Sequence, residues 1–379
     1  MAAALFLVSW GLIQHGFFAR ERIVDTPIYQ RYGEAMARGE IPYRDFALEY
    51  PPAALPVFLL PALGEGGFEA YERRFEWLMA VLGVACVVLV ALLASSWRAP
   101  LFVAVTPLLL GSVMLSRFDL WPAALMLGAL ALLVAGRFRI GLAALGFATA
   151  AKLYPAVLFP IAVAYVWRLR GRREALIGAG GFLLVLAAIV APFAVLAPEG
   201  VWDALWRQAD RPLQLESLGA GFLLVFHHLF GLELTMESSH GSQNLAGGGA
   251  TAVSVVSTLL QAAALVAIWA WHARGPATRE RLVTAGAAAV CAFVAFGKVL
   301  SPQFLIWLIP LVPLVGVAAT ALLGVALVLT QLWFPFRYWE LALEFDPLAS
   351  ALVLVRDLLL VALTLILMAR VRPGRARNP

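Results

Sequence analysis

The chain predicts an all-α polytopic membrane protein of about twelve transmembrane helices (eleven to thirteen), with interfacial helices in its outer loops. Three observations carry that reading. Hydrophobic residues make up 62% of the 379 positions and charged residues only 13%, with a mean hydropathy of +0.87, far from a soluble composition. Apolar runs long enough to span a bilayer recur along most of the chain. The charges between them alternate in kind from one loop to the next.

Taken in order, the expected spans are roughly 2–19, 75–97, 100–115, 119–136, 139–151, 153–168, 174–197, 251–273, 281–297, 302–318, 320–335 and 348–370. The first has no basic segment before it and no clear small-residue cleavage site, so it reads as a retained span. With both termini cytoplasmic, one face collects fourteen arginines, from Arg98 to Arg377, against Glu174 and Glu280, which satisfies the positive-inside rule. The proline-rich stretch Tyr50–Gly64 is too short to cross and would invert every later loop if it did. It is therefore laid along the outer surface, as is Leu218–Leu234. One integral membrane domain, 1–379, then carries a first outer loop at 20–74, a large outer loop at 198–250 and a basic cytoplasmic tail at 371–379. The Gly241–Gly249 stretch reads as a flexible tether. No internal repeat is visible, which weighs against an inverted-repeat transporter or flippase, the rival from another class. A noncatalytic assembly subunit is a third reading. Cys86 and Cys291 fall inside apolar helices and suggest neither a disulfide nor a metal site.

Of 28 basic residues only Lys152 and Lys298 are lysine. A cation among apolar residues is costly and marks function by default. Both fall at outer helix ends, and each is followed shortly by a proline (Pro155, Pro302) that frees backbone groups beside the amine. Snorkelling to the headgroups is the plain alternative. In the first outer loop, residues 27–38 suit an amphipathic helix with Ile28, Tyr32, Ala35 and Met36 on one side, stopped by Gly39. Asp25 precedes it, either as its N-cap or as a carboxylate held over a lipid-borne substrate. Ser116-Arg-Phe-Asp-Leu-Trp-Pro122 is a tight outer turn in which Arg117 and Asp119 either pair with each other or line a cavity. Glu49, His227, His228, Arg337 and Glu340 are weaker candidates; no third ligand is spaced to turn the two histidines into a metal site. Arg356 and Asp357, inside the last span, read as a locally neutralised pair.

Asp25, Gly-Glu-Ile-Pro-Tyr-Arg-Asp-Phe-Ala-Leu-Glu-Tyr-Pro-Pro52, Arg-Phe-Asp-Leu-Trp-Pro122, Ala-Lys-Leu-Tyr-Pro155 and Gly-Lys-Val-Leu-Ser-Pro-Gln-Phe304 together resemble glycosyltransferase family 87, over about residues 1–315. Its members are polyprenyl-phosphate-mannose-dependent mannosyltransferases of the C-type membrane fold. The resemblance implies a sugar, most simply mannose, moved from polyprenyl phosphate to a lipid-linked or glycan acceptor with inversion, on the outer face of the plasma membrane. It makes Asp25 the catalytic base and Lys152, Lys298 and Arg117 the cations meeting the leaving phosphate. Asp119, Glu49, Tyr50, Tyr154 and Gln303 are the implied substrate contacts. Trp202, Trp206 and Phe222 are available to stack on sugars, with the loop 198–250 as lid or acceptor groove. No cofactor and no nucleic acid are implied, and a divalent metal is left open.

Overall fold

The computed structural model describes residues 1–373. The expected basic tail, 371–379, therefore lies mostly outside the described residues. Helices run in the order α1 (Ala2–Leu12), α2 (Thr26–Ala37), α3 (Leu55–Ala62), α4 (Phe68–Leu93), α5 (Arg98–Leu110), α6 (Val113–Ser116), α7 (Leu120–Val134), α8 (Phe138–Ala151), α9 (Phe159–Arg170), α10 (Arg172–Leu196), α11 (Pro198–Ala209) and α12 (Leu218–Phe230). A hairpin of β1 (Leu234–Ser239) and β2 (Ser242–Gly247) follows, then α13 (Ala250–Arg274), α14 (Arg279–Ala295), α15 (Val317–Trp333), α16 (Tyr338–Glu344) and α17 (Pro347–Val371).

Among the described residues α4, α10, α13 and α17 are long and apolar enough to cross a membrane, with a fifth candidate if α15 and α16, bent by 70°, count as one. This is a mostly helical membrane protein. Several expected spans are shorter helices: α7, with 15 residues, reaches roughly 22 Å against a hydrocarbon core of about 30 Å. The expected span 302–318 is not one helix. It is two 3-10 turns, Pro302–Trp307 and Val312–Leu314, because Pro302, Pro310 and Pro313 remove the amide donors a continuous helix needs. The expected span 100–115 breaks at Gly111, whose φ of +66° ends α5 before the short α6.

Helix contacts follow residue size. Gly146 of α8 sits so close to α10 that an added Cβ would lie 2.5 Å from the Phe182 carbonyl oxygen, the close approach that small residues permit between membrane helices. The Ala- and Gly-rich α14 is buried along nearly its whole length and packs against α13 and α17. By contrast, only 6% of the apolar window of α10 is buried, so it lies at the periphery.

The loops set the site. Helix α2 forms where expected, but its buried side carries Thr26, Tyr29, Gly33 and Ala35 while Ile28 is exposed. The difference comes from α3, which covers the Tyr29–Gly33 side: Tyr29 stacks on Phe58 with ring centroids 4.7 Å apart. The Gly241–Gly249 stretch is not a loose tether. Ser242 to Gly247 are strand β2, paired antiparallel with β1 from Ser239↔Ser242 to Leu234↔Gly247. Its edge adds Leu213 to Leu215, since Leu245 N–H donates to Leu213 and Leu215 N–H to Gln243.

Candidate active site

Asp25 begins α2, yet its side chain makes no capping bond to the helix. Its carboxylate lies instead against the guanidinium of Arg117, with the Tyr29 hydroxyl donating to Oδ2 at 3.3 Å. Arg117 is buried (5% exposed), and its Nη2 also donates to the Ile23 carbonyl at 3.3 Å. The arginine therefore fixes both the carboxylate and the chain entering α2. Asp25 thus occupies the N-cap position of α2, as one reading expected, but its side chain does not cap the helix.

Asp119, two residues on, faces the other way. It begins α7 without capping it and is 1% exposed. Its Oδ1 accepts two bonds of 2.6 Å, one from Lys152 Nζ and one from Trp307 Nε1. So Arg117 and Asp119 do not pair with each other; each crosses to a different element. Backbone geometry explains the divergence. Arg117 has extended φ/ψ while Asp119 is helical, which sends the two side chains to opposite sides of Phe118.

Phe118 stands between the two ion pairs. Its ring packs against Tyr29 and Tyr50, at centroid separations of 5.7 and 4.8 Å, and the Lys152 ammonium lies 4.6 Å from its centre. Lys152 also lies 5.1 Å from the Trp307 ring and 5.8 Å from Phe304. Its side chain is only 16% exposed, which rules out snorkelling. Tyr154 stacks flat on Trp307, with centroids 4.0 Å apart and planes 3° from parallel, and its hydroxyl is buried without a partner.

Lys298 is placed differently from the expectation. Its Nζ donates to the Ala209 carbonyl at 2.9 Å, at the carbonyl end of α11, and its own carbonyl accepts from Gln214 N–H at 2.9 Å. A cation at a helix C-terminus is favourably placed against the dipole. Burial pushes its pKa down, with Asp210 opposing. Lys298 thus pins the loop after α11 beside the site, not directly onto Asp25 or Asp119.

Glu49 and Tyr50 form the other wall. Tyr50 is held through its carbonyl, which accepts from the Tyr43 hydroxyl at 2.5 Å. Burial raises the Glu49 carboxyl, opposed by the charges of Arg211 and Arg207. Gln303, in the first 3-10 turn after Ser301, is half-buried and makes no side-chain hydrogen bond. The weaker candidates are spent locally: His227 Nδ1 on the Leu232 carbonyl at 2.7 Å, and Arg337 on Glu340 at 2.8 Å at the surface. Trp202 and Trp206 stack on each other and are exposed, and Phe222 is about half exposed. Arg356 and Asp357 pair at 2.6 Å as expected and are fully buried; Arg356 also donates to the Glu216 carbonyl at 2.8 Å.

Three groups escaped the sequence reading. Trp307 lies three residues beyond the Gly-Lys-Val-Leu-Ser-Pro-Gln-Phe304 motif, and nothing in its type or spacing marks it as the second donor to Asp119. Glu216 and Arg211 carry no local signal, because each is an ordinary loop charge until the hairpin buries it. Glu216 is 3% exposed, accepts from Gln214 Nε2, and has its carboxyl pushed up to about 7 by burial. Gln214 in turn donates to Ser301 Oγ at 2.7 Å.

Two cavities lie apart from this cluster. One, of about 560 Å³, is lined by Arg98, Arg279 and Thr320 at the arginine-rich face. The other is an apolar groove of about 800 Å³ along α4, α7 and α8.

A family model for glycosyltransferase family 87 matches residues 48–302. The chain belongs to this family. The matched stretch holds Glu49, Tyr50, Arg117, Asp119, Lys152 and Lys298, while Asp25 precedes it and Gln303 and Trp307 follow it. No curated protein matches the chain. Family membership makes the chain a membrane glycosyltransferase, a transferase using a sugar donor and an acceptor, and the transporter reading gives way to it.

Proposed function

We propose that this glycosyltransferase moves a sugar, mannose by family analogy, from polyprenyl phosphate to a hydroxyl of a glycolipid or glycan, inverting the anomeric centre. The observation that carries the reading is the pair of carboxylates on opposite sides of Phe118, Asp25 beside Arg117 and Asp119 beside Lys152. A base must be ionised, oriented and within reach of the attacking oxygen. The Arg117 guanidinium and the Tyr29 hydroxyl hold the Asp25 carboxylate in a fixed orientation. The acceptor oxygen forms its bond to the anomeric carbon as the bond from that carbon to the phosphate oxygen breaks. The hydroxyl proton passes to Asp25, and the electron pair leaves with the lipid phosphate. Charge grows on that phosphate in the transition state, where preorganised cations are most effective. Lys152 keeps N–H donors beyond the one given to Asp119, and the stacked rings of Tyr154, Trp307 and Phe304 pack beside it as a rigid support. Asp119 holds Lys152 in place, and Glu49, Tyr50 and Gln303 are positioned as substrate contacts.

The apolar groove along α4, α7 and α8 suits the polyprenyl chain. Its Leu125–Phe147 end packs against Trp121, two residues from Asp119. The arginine distribution favours an outer-face site with both termini cytoplasmic, in a plasma-membrane protein of about twelve spans and C-type architecture. The chemistry as written needs no nucleotide and no resident cofactor, and activity with and without a chelator decides whether a divalent ion assists. The experiment is transfer from polyprenyl-phosphate mannose to candidate glycolipids by the purified protein, with Asp25→Asn beside it. Transfer that survives in the mutant removes Asp25 as the base.

A further inference from the structure

The three cations that the sequence offers for the donor phosphate are all engaged: Arg117 lies on Asp25, Lys152 on Asp119 and Lys298 on the Ala209 carbonyl. A fourth is not. Arg211 reaches the same region from the loop between α11 and α12. Among the described residues no carboxylate comes within ion-pairing distance of it. Among these residues its one side-chain bond is from Nη2 to the neutral Ser242 Oγ at 3.0 Å, and its Nε is buried with no partner. A guanidinium in this condition has lost water without gaining a counter-ion, which is unfavourable unless a ligand supplies one.

Its position is fixed on three sides. Two residues before it, the Ala209 carbonyl accepts from Lys298; three residues after it, Gln214 N–H donates to the Lys298 carbonyl. Ser242, which holds the guanidinium, begins strand β2 and also donates to Asn244 Oδ1 at 3.1 Å. The preceding helix is docked tightly, since a Cβ on Gly200 would meet the Tyr43 carbonyl oxygen at 2.0 Å. Glu49, Tyr50, Glu216, Lys152 and Lys298 all stand near enough to Arg211 for its charge to interact with them.

We propose that Arg211 is the arginine that grips the phosphate of the lipid-linked donor, presented to Lys152 by the β1–β2 hairpin. This rests on the donor reading above and adds to it the group that binds the anion. A guanidinium fork matches phosphate oxygens two at a time, which lysine cannot do. Lys298 becomes a positioning residue, tying the α11 end so that Arg211 faces inward.

The test uses the full chain in lipid nanodiscs, titrated with polyprenyl monophosphate and, in parallel, with polyprenol, which has the chain but no phosphate. Arg211→Gln is expected to weaken monophosphate binding by about tenfold or more, the fold-change of losing one charged hydrogen bond, and to leave polyprenol binding unchanged. Arg211→Lys is expected to recover part of the loss, and in turnover to raise KM for the donor more than it lowers kcat. If Arg211→Gln fails to fold, Arg211→Lys carries the test, and wild-type monophosphate affinity in it overturns the assignment. Unaltered protein that prefers monophosphate, together with Arg211→Gln that prefers it equally, removes Arg211 alone. Unaltered protein that binds both lipids equally removes the polyprenyl-phosphate donor and this assignment with it.

Discussion

Replacing Asp119 tests the centre of the site most directly, because one oxygen of a 1% exposed carboxylate accepts from both Lys152 and Trp307 at 2.6 Å. Asp119→Ala leaves the Lys152 ammonium without a counter-charge in a setting where its side chain is 16% exposed. Breaking a buried pair from one side costs ~3–5 kcal/mol. The orphaned Trp307 N–H adds ~1 kcal/mol, while the faces of Phe118, Trp307 and Phe304 return up to ~2 kcal/mol to the cation. The net expectation is a loss of about 3 kcal/mol. Lys152→Met should cost somewhat less, since Asp119 keeps Trp307. The combination Asp119→Ala with Lys152→Met removes both charges, and its stability should lie well above that expected from the sum of the two single losses, because a buried pair replaced by apolar groups is often neutral. Thermal unfolding of all four proteins in one detergent gives the order: the unaltered protein highest and the double variant above the additive expectation, with a coupling of about 2 kcal/mol or more. Drops that simply add in the double variant would show that the 2.6 Å contact does not act as a coupled pair.

Asp25→Asn is expected to cut transfer by about 10²- to 10⁴-fold, the usual worth of a positioned base, with polyprenyl monophosphate binding kept; equal losses of both point to a folding defect. Glu216 makes stability depend on pH. Its folded carboxyl titrates at about 7 against an ordinary 4.5, so between those values the folded state holds a proton that the unfolded chain has lost. Stability is highest below about 4.5 and falls as pH rises to about 7, by up to ~3 kcal/mol; Glu216→Gln should flatten that slope in melts taken across the window. Gly33→Ala is expected to separate α2 from α3, since the new Cβ would sit 2.2 Å from the Phe58 carbonyl oxygen. A loss of ~1–3 kcal/mol, together with lower activity because Tyr29 moves with α2, is the readout.

Much of the site was legible as residue types. Arg117, Asp119 and Lys152 stood out because charges are few in this chain and these interrupt apolar sequence beside helix ends, and Asp25 because it directly precedes the amphipathic helix of the first outer loop. Their partnerships were not legible. Spacing allowed Arg117 to pair with Asp119 two positions away, and only the turn from extended to helical backbone at Phe118 sends them apart. Lys298 resembled Lys152 in every local respect, including the following proline, yet one meets a carboxylate and the other a helix end.

The sequence by itself determined the membrane class, because it depends on composition and period, which are local sums. It also determined the family motifs, which are contiguous strings. Only the tertiary structure decided which cations are spent and which are free. Trp307 joining Asp119 across 188 positions, the hairpin formed where a tether was expected, and Arg211 left without a counter-ion all depend on chain segments far apart in sequence. The physical reason is that an ion pair in low dielectric is set by angstrom-scale approach, and approach between distant segments is a property of packing that no local pattern encodes.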